Sequence, residues 1–213
     1  MPEGINQIST AKNVVIAPPK IESAKITIRG ISPMVQCKFS MKAQDQIRAT
    51  QEAGQTSRKN KKKEAKDFDA VFQGGRHRST EGWDGIPATA FRSAMISACR
   101  TVGFKMTLAK LSIFCVADGY DEEGTGLVKI THGEPTMDVR PGRNANGSVD
   151  LRARPMWAPG WQATVTLQWD ADQFSASDVM NLLARAGWQV GIGEGRPDSR
   201  MSAGMGWGQF EIA

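Results

Sequence analysis

Cysteine, histidine and long apolar runs are scarce in this 213-residue sequence, and each scarcity closes a class of function. There are three cysteines, Cys37, Cys99 and Cys115, an odd number with no C-x-x-C pair. Such usage suits a reducing cytosol and gives no disulfide framework. Two histidines, His77 and His132, stand apart from any cysteine and from each other, so no zinc site is expected. No apolar stretch approaches the roughly 18 residues of a membrane-spanning helix, and no membrane partner is expected. Residues 1–20 lack a charged-then-apolar leader pattern. With Pro2, Gly4, Pro18 and Pro19, residues 1–22 read as a flexible arm.

What is present is positive charge. Lys and Arg number 27 against 22 Asp and Glu, a net charge of +5. That balance permits nucleic acid or an anionic surface as partner and says nothing about fold. Apolar residues make up 40 % of the chain, enough for one domain over residues 23–213 with some segments outside its core.

Period-two alternation over Lys25–Arg29 predicts a first strand, closed by Gly30, Ser32 and Pro33. Residues 41–52 are weakly helical. Residues 54–66 are polar and basic, with too few apolar groups to offset ordering entropy. Ile86, Pro87, Ala88 and Thr89 open a helix, with Thr89 as a cap, Phe91, Met95, Ala98 and Val102 as its apolar stripe and Gly103 as its stop. Leu111–Val116 predicts a second strand. Leu127–Thr131 and Val149–Arg154 read as two sides of an extended excursion, with Pro135, Pro141, Gly142 and the Asn146-Gly147 pair as turn signals between them. Trp161–Trp169 alternates most clearly, with one solvated face. Ser175–Ala186 is the clearest helix, opened by a Ser175-x-x-Asp178 capping box and closed by Gly187. Trp207–Ile212 predicts the last strand. The resulting order is β-α-β-β-α-β, an α+β, ferredoxin-like antiparallel sheet with two large insertions, residues 31–85 and 118–158. An open face on such a sheet is a frequent seat for single-stranded nucleic acid.

Four segments carry candidate chemistry. The run Arg58, Lys59, Lys61, Lys62, Lys63 and Lys66 could neutralise phosphates and release counterions, or be a solvated loop. Arg76 and Arg78 flank His77 in a second basic stretch. Arg140, Arg143, Arg152 and Arg154 cluster around the excursion, where guanidinium forks suit phosphate oxygens or simply decorate an exposed hairpin. The glycine-rich segment with Gly191, Gly193, Gly195, Arg196 and Arg200 could cradle phosphate on backbone N–H groups, or pack tightly as a turn. It is neither a P-loop nor a dinucleotide fingerprint, since G-x-x-x-x-G-K-[ST] is absent and a helix, not a strand, precedes it. No cofactor is expected. Of six tryptophans, Trp161 and Trp169 fall on the core side of their strand, while Trp83 and Trp157 are expected to be more exposed and able to stack bases. For catalysis, His77 is the available general base. The acidic stretch Asp118, Asp121, Glu122 and Glu123 has no metal spacing.

Ile86 to Met95 (I-P-A-T-A-F-R-S-A-M) resembles the opening of the first helix in the RAMP superfamily, written I-P-G-S-S-L-R/K-G-A there. Gly191 to Phe210 resembles that family's glycine-rich loop before the last strand. Within the superfamily the sequence is most similar to Cas7-type backbone subunits of CRISPR effector complexes, and residues 81–110 also have the texture of phage and prophage proteins. The resemblance implies a modified RRM fold and binding of an RNA or single-stranded DNA backbone across subunits of a filament. It implies that Arg92 and the glycine loop lie near nucleic acid, that residues 118–158 act as a thumb, and that the setting is the cytoplasm of a bacterial host. Some members cut RNA with an Asp in the loop after the first strand; here Asp45, Asp67, Asp69 and Asp84 occupy that insertion. The leading expectation is therefore a non-enzymatic, sequence-independent binder of single-stranded RNA or DNA that forms a homo-oligomer or filament. The alternatives are an endoribonuclease using His77 or an insertion aspartate such as Asp69, and a phage protein acting through a protein partner such as a CRISPR effector complex.

Overall fold

A computed structural model of the protein describes residues 16–39, 48–49, 51–52, 65–143, 147–199 and 204–213. In chain order its strands are β1 (Ile21–Gly30), β2 (Met34–Val35), β3 (Gly85–Pro87), β4 (Ile113–Val116), β5 (Gly119–Tyr120), β6 (Gly126–His132), β7 (Pro135–Arg143), β8 (Val149–Trp157), β9 (Gln162–Asp170) and β10 (Phe210–Ile212). Its four α-helices among the described residues are α1 (Phe68–Gly74), α2 (Ala88–Ala98), α3 (Met106–Ser112) and α4 (Ala176–Arg185). A 3₁₀ turn (Cys99–Val102) extends α2, and a π-helical turn (Ala186–Val190) extends α4. The fold is α+β with antiparallel sheets.

Alternation in β9 places Ala163, Val165, Leu167 and Trp169 on one face, and β1 adds Ile26 and Ile28 to it. On that face Phe91, Ala94, Met95 and Ala98 of α2 meet Val179, Leu182 and Leu183 of α4 in one continuous core. Removing such side chains from water is the main favourable term, about 1.5–3 kcal/mol for each large one. The opposite face carries Ser23, Lys25, Thr27, Arg29, Thr164, Thr166 and Gln168, none of them buried. The main sheet runs β10-β1-β9 and then divides: β4 pairs with Thr166–Trp169 of β9, while β6 pairs with Gln162 and Ala163 and continues to β3 and β5. A second sheet runs β2-β8-β7.

The strand at 161–169 and the helix at 175–186 form as the sequence predicts. Ser175 accepts from the Asp178 N–H at 3.2 Å and the Asp178 carboxylate accepts from the Ser175 N–H at 3.1 Å, completing the capping box. Several elements differ. Val149–Arg154 does not pair with Leu127–Thr131; β8 pairs with β7 over nine positions, and β6 belongs to the main sheet. Pro135 and Pro141 lie inside β7, which is possible because β7 is an edge strand whose outer N–H groups need no partner. Leu111 ends a helix; the strand starts at Ile113. Thr89 is not a cap, since Pro87 occupies that position without a side-chain bond, and Val102 is exposed on the 3₁₀ turn. Gly187 does not stop α4: the chain winds on to Gly191, which takes a positive φ of 70°. Trp157 is 0 % exposed. Most of the weak helix at 41–52 and residues 1–15 of the arm expected at 1–22 lie outside the described residues, and the arm's last two residues, Ile21 and Glu22, belong to β1.

Glycine is required at Gly208. Its φ is 69°, and a Cβ would sit 1.7 Å from the Ile192 carbonyl oxygen, which itself accepts no such approach because Ile192 N–H donates to Gly208 at 3.0 Å. Gly82 has φ 90° with nothing within 4 Å of a Cβ. Gly82→Ala should therefore cost about 1 kcal/mol from backbone strain alone. Gly208→Ala should cost several-fold more, about 3 kcal/mol or above. Paired thermal melts of the two variants check this.

Candidate nucleic-acid interface

The chain leaving β1 turns at Ser32 and Pro33 and enters β2, which pairs with the end of β8. Beyond it, Gln36 is buried and its side chain does two jobs. Its amide donates to the Gly85 carbonyl at 2.8 Å and its oxygen accepts the His77 N–H at 3.1 Å. Lys38 N–H donates to the Gly75 carbonyl, and its ammonium pairs with Asp121 at 3.0 Å and Glu123 at 3.1 Å. Residues 36–38 thus form a floor between α1 on one side and β8 on the other. Over that floor opens a cleft of about 1130 Å³, lined by the cations Lys38, Lys66, Arg76, Arg78 and Arg154 and by the acids Asp67, Glu122, Glu123 and Asp150.

Helix α1 forms one wall. Asp67 caps it by accepting the Ala70 N–H at 2.9 Å, yet none of its residues is buried. It is held from outside: Lys66 pairs with Asp150 at 2.9 Å and also donates to the Leu151 carbonyl. After α1, Arg76 makes a two-pronged pair with Asp84, its Nε at 2.9 Å, and reaches Gln73 through Nη1. Arg78 is exposed; its guanidinium donates to the Gly82 carbonyl at 2.8 Å and makes no ion pair among the described residues. The His77 imidazole is half-buried with Nδ1 buried and unpartnered, and burial, with Lys38 nearby, holds its pKa below 6.5. Asp69 stands exposed in the first turn of α1.

Strand β8 of the β7–β8 hairpin forms the other wall, and three of the hairpin's arginines, Arg140, Arg152 and Arg154, engage acids of the protein. Arg154, 7 % exposed, bonds Glu194 at 2.7 Å and Asp138 at 3.4 Å. Arg140 bonds Asp138 at 2.6 Å, and Arg152 lies 3.7 Å from Glu194. Arg140 and Arg154 both stack on the ring of buried Trp207, at 5.2 and 5.6 Å from its centroid. Arg143 pairs with Val149 through its backbone. The cluster therefore clasps the hairpin to the glycine-rich segment.

That segment packs on backbone rather than standing open. Gly193 has φ 76° and a Cβ there would meet the Val35 carbonyl at 2.4 Å, while Gly191 and Gly195 are crowded by Pro197 and Trp207. Several of its N–H groups are in use: Glu194 to Val35, Met205 and Trp207 to Gly195, and Gly208 to Pro33. Arg196 folds back onto the Gly193 carbonyl at 3.1 Å. Asp198 accepts from Ser97 and Arg100, and the Ser97 hydroxyl, with Arg100, holds its carboxyl below 3.8. Arg92 is likewise internal, donating to the carbonyls of Lys110 and Ile113 at the end of α3 and stacking on Phe114. Arg58, Lys59, Lys61, Lys62, Lys63, Asp45 and Arg200 lie outside the described residues. Of the tryptophans, Trp188 is the exposed one, at 64 %, while Trp83 is half-buried. Sequence reading passed over Gln36, Lys38 and Glu194; their partners lie 40 to 83 residues away, and no local pattern marks such contacts.

Among the described residues no group of three or more His, Cys, Asp or Glu could hold a metal ion, and no helix is long and apolar enough to cross a membrane. No protein-family model matches the sequence, and no curated protein matches it.

Two measurements test this geometry. Glu194→Ala leaves buried Arg154 short of its nearest acid, and should cost about 3 kcal/mol in denaturant unfolding. Hydrogen exchange in residues 191–195 should speed up with it. His77 binds its proton less tightly folded than unfolded, so stability falls as pH drops below 6.5. Melting temperature should decline from pH 7 to pH 5, and His77→Gln should flatten that decline. The depressed Asp121 and Asp198 carboxyls act lower, withdrawing stability as pH falls through and below their usual 3.8.

Proposed function

We propose that this chain binds single-stranded nucleic acid along its backbone, without sequence selection, as a self-assembling RAMP-type, Cas7-like subunit working in the cytoplasm of a bacterial host. The observation that carries the reading is the cleft between α1 and the β7–β8 hairpin. One of its walls begins at Lys66, the last residue of the basic run that starts at Arg58. Lysines of such a run, continuing into the cleft at Lys66, can neutralise a phosphate chain without reading bases. Arg78, exposed on the same wall and without an ion pair among the described residues, adds a fixed guanidinium.

The fold supports the family side of the proposal. The pairings of β10 with β1, β1 with β9 and β9 with β4, with α2 and α4 packed into one core, are in keeping with the ferredoxin-like β-α-β-β-α-β unit proposed. Of the remaining elements, β2 and α1 fall between Ile31 and Asp84 and β5 to β8 between Ala117 and Pro159, close to the two expected insertions, while β3 and α3 lie outside both. The I-P-A-T-A-F-R opening falls at the start of α2. The inward pairing of Arg92, Arg152 and Arg154 shifts the proposed contact away from them and onto the basic run and Arg78.

The nuclease alternative has one supporting feature, the half-buried His77, whose pKa burial and nearby Lys38 hold below 6.5. A base of that kind needs a partner acid, and Asp69 is exposed on α1 with no bond to His77.

Changing Lys59, Lys61, Lys62 and Lys63 together to Gln should weaken binding of a labelled single strand at least about tenfold. It should also reduce the slope of log affinity on log salt by up to about 3, at roughly 0.7 per phosphate contact. Arg78→Gln should weaken binding further. Affinity unchanged in both variants would sink the cleft reading. Loss of full-length ligand over time, abolished by His77→Ala, would favour the nuclease. No binding even at low salt would point to a protein partner instead.

A further inference from the structure

The outer edge of β1 is open. Its inner edge is bonded to β9 from Ile21 to Arg29, but β10 covers the outer edge only at Ile28–Gly30. The last bond there runs from the Ala213 N–H to the Thr27 carbonyl. In an antiparallel ladder, alternate residues turn their polar backbone groups to opposite sides. The Thr27 bond assigns the odd-numbered residues to the outer side, and the Gly30 N–H bond to Trp161 assigns the even-numbered ones to β9. Ile21, Ser23 and Lys25 therefore offer their N–H and C=O groups to an edge that has no partner among the described residues. From Ile21 to Lys25 it spans about 14 Å. Such an edge is a template for another strand.

The chain carries a sequence of matching kind. Residues 12–16 (K-N-V-V-I) combine three β-branched apolar side chains with no proline or glycine. Ile16, where the description begins, is 88 % exposed, so this apolar residue is not buried on its own domain. To reach its own β1 edge, the run would have to reverse within Ala17–Lys20. Pro18 and Pro19 oppose that, because proline fixes its own φ and holds the preceding residue extended. Lys25 does not obstruct the edge, since its side chain stands on the solvated face, perpendicular to the direction of pairing.

We propose that residues 13–16 of one copy add as a strand to the outer edge of β1 in a second copy, where β10 stops. Backbone bonds to Ile21, Ser23 and Lys25 supply the affinity. Donor and acceptor are different surfaces of the same chain, so the contact is head-to-tail and propagates into an open chain of subunits. This names the joint for the assembly half of the proposed function and does not depend on nucleic-acid binding.

The test uses full-length protein freed of nucleic acid, followed by sedimentation velocity over a wide concentration range. Val15→Pro spoils the donor. Ser23→Pro removes an outward N–H from the acceptor and leaves the bonds to β9 intact. Circular dichroism and thermal melts establish that both variants fold. The wild type should grow with concentration, and each variant alone should stay monomeric. An equimolar mixture of the two should give a dimer that grows no further, because only one intact donor and one intact edge remain complementary. A wild type that stays monomeric at every concentration overturns the proposal. If that monomer still binds single strands, the binding reading stands without it. Assembly that persists in both variants also overturns the proposal and leaves self-assembly by another surface. Folded variants that fail to dimerise when mixed overturn it too.

Discussion

Both edges of β9 are hydrogen-bonded, and the division of its second edge decides where everything else goes. β1 occupies the first edge over nine positions, from Asp170 back to Gln162. The second is shared: β4 takes Thr166–Trp169, and β6 takes only Ala163 and Gln162, across a register shift between Ile130 and His132. A strand that holds two residues of an edge diverges from it, and β6 carries β3 and β5 away with it. The chain between β4 and β9 is therefore anchored at its base in the main sheet. Only the β7–β8 hairpin projects, and it does so beside the chain that leaves β1, where β2 joins it to form the floor of the cleft.

The clasp around Trp207 follows from that placement. The hairpin brings Asp138, Arg140, Arg152 and Arg154 over the returning C-terminal segment, whose glycines let Glu194 and Trp207 come close beneath them. A guanidinium stacked on an indole and paired to carboxylates out of water is costly to disturb, because freeing it leaves its partners buried and unpaired. Arg154, which looks like a phosphate ligand in the sequence, is thereby committed to the fold. The glycines share that fate: they let backbone approach backbone rather than ligand.

Local pattern explains which parts of this were readable. The alternation of β9 and the capping box of α4 act within one element, and both were legible residue by residue. So was the core position of Trp161 and Trp169. The partners of β8 were not legible, because period-two alternation gives a face without naming a neighbour. Prolines misdirected the reading of β7, since they signal turns in sequence and edge positions in a sheet. Trp157 looked exposed between Pro155 and Pro159, yet the pairing of β2 with β8 covers it. The Lys38 and Asp121 pair, like the Arg154 and Glu194 pair, joins segments that only the completed fold brings together. Cation-rich sequence was a fair guide to where positive charge lies and a poor guide to which of it is unspent.

The open face of the main sheet argues for how any bound strand is held. Its central strands present Ser23, Lys25, Thr27 and Arg29 against Thr164, Thr166 and Gln168, with Thr27 and Thr164 hydroxyls 3.3 Å apart and Arg29 paired to Glu211. Sheets that read single strands by stacking place aromatic rings at these central positions, each worth about 1–3 kcal/mol per base. Here the aromatic nearest to that role is Phe114 on β4, and Arg92 covers it at 4.8 Å. Without rings, this face has little to offer a base, and among the described residues it has one central cation without an ion pair, Lys25, to offer a phosphate. Under the proposed function, binding energy for a single strand comes from the basic run and the cleft. That source makes affinity steep in salt and indifferent to sequence, which is the physical content of the proposed function.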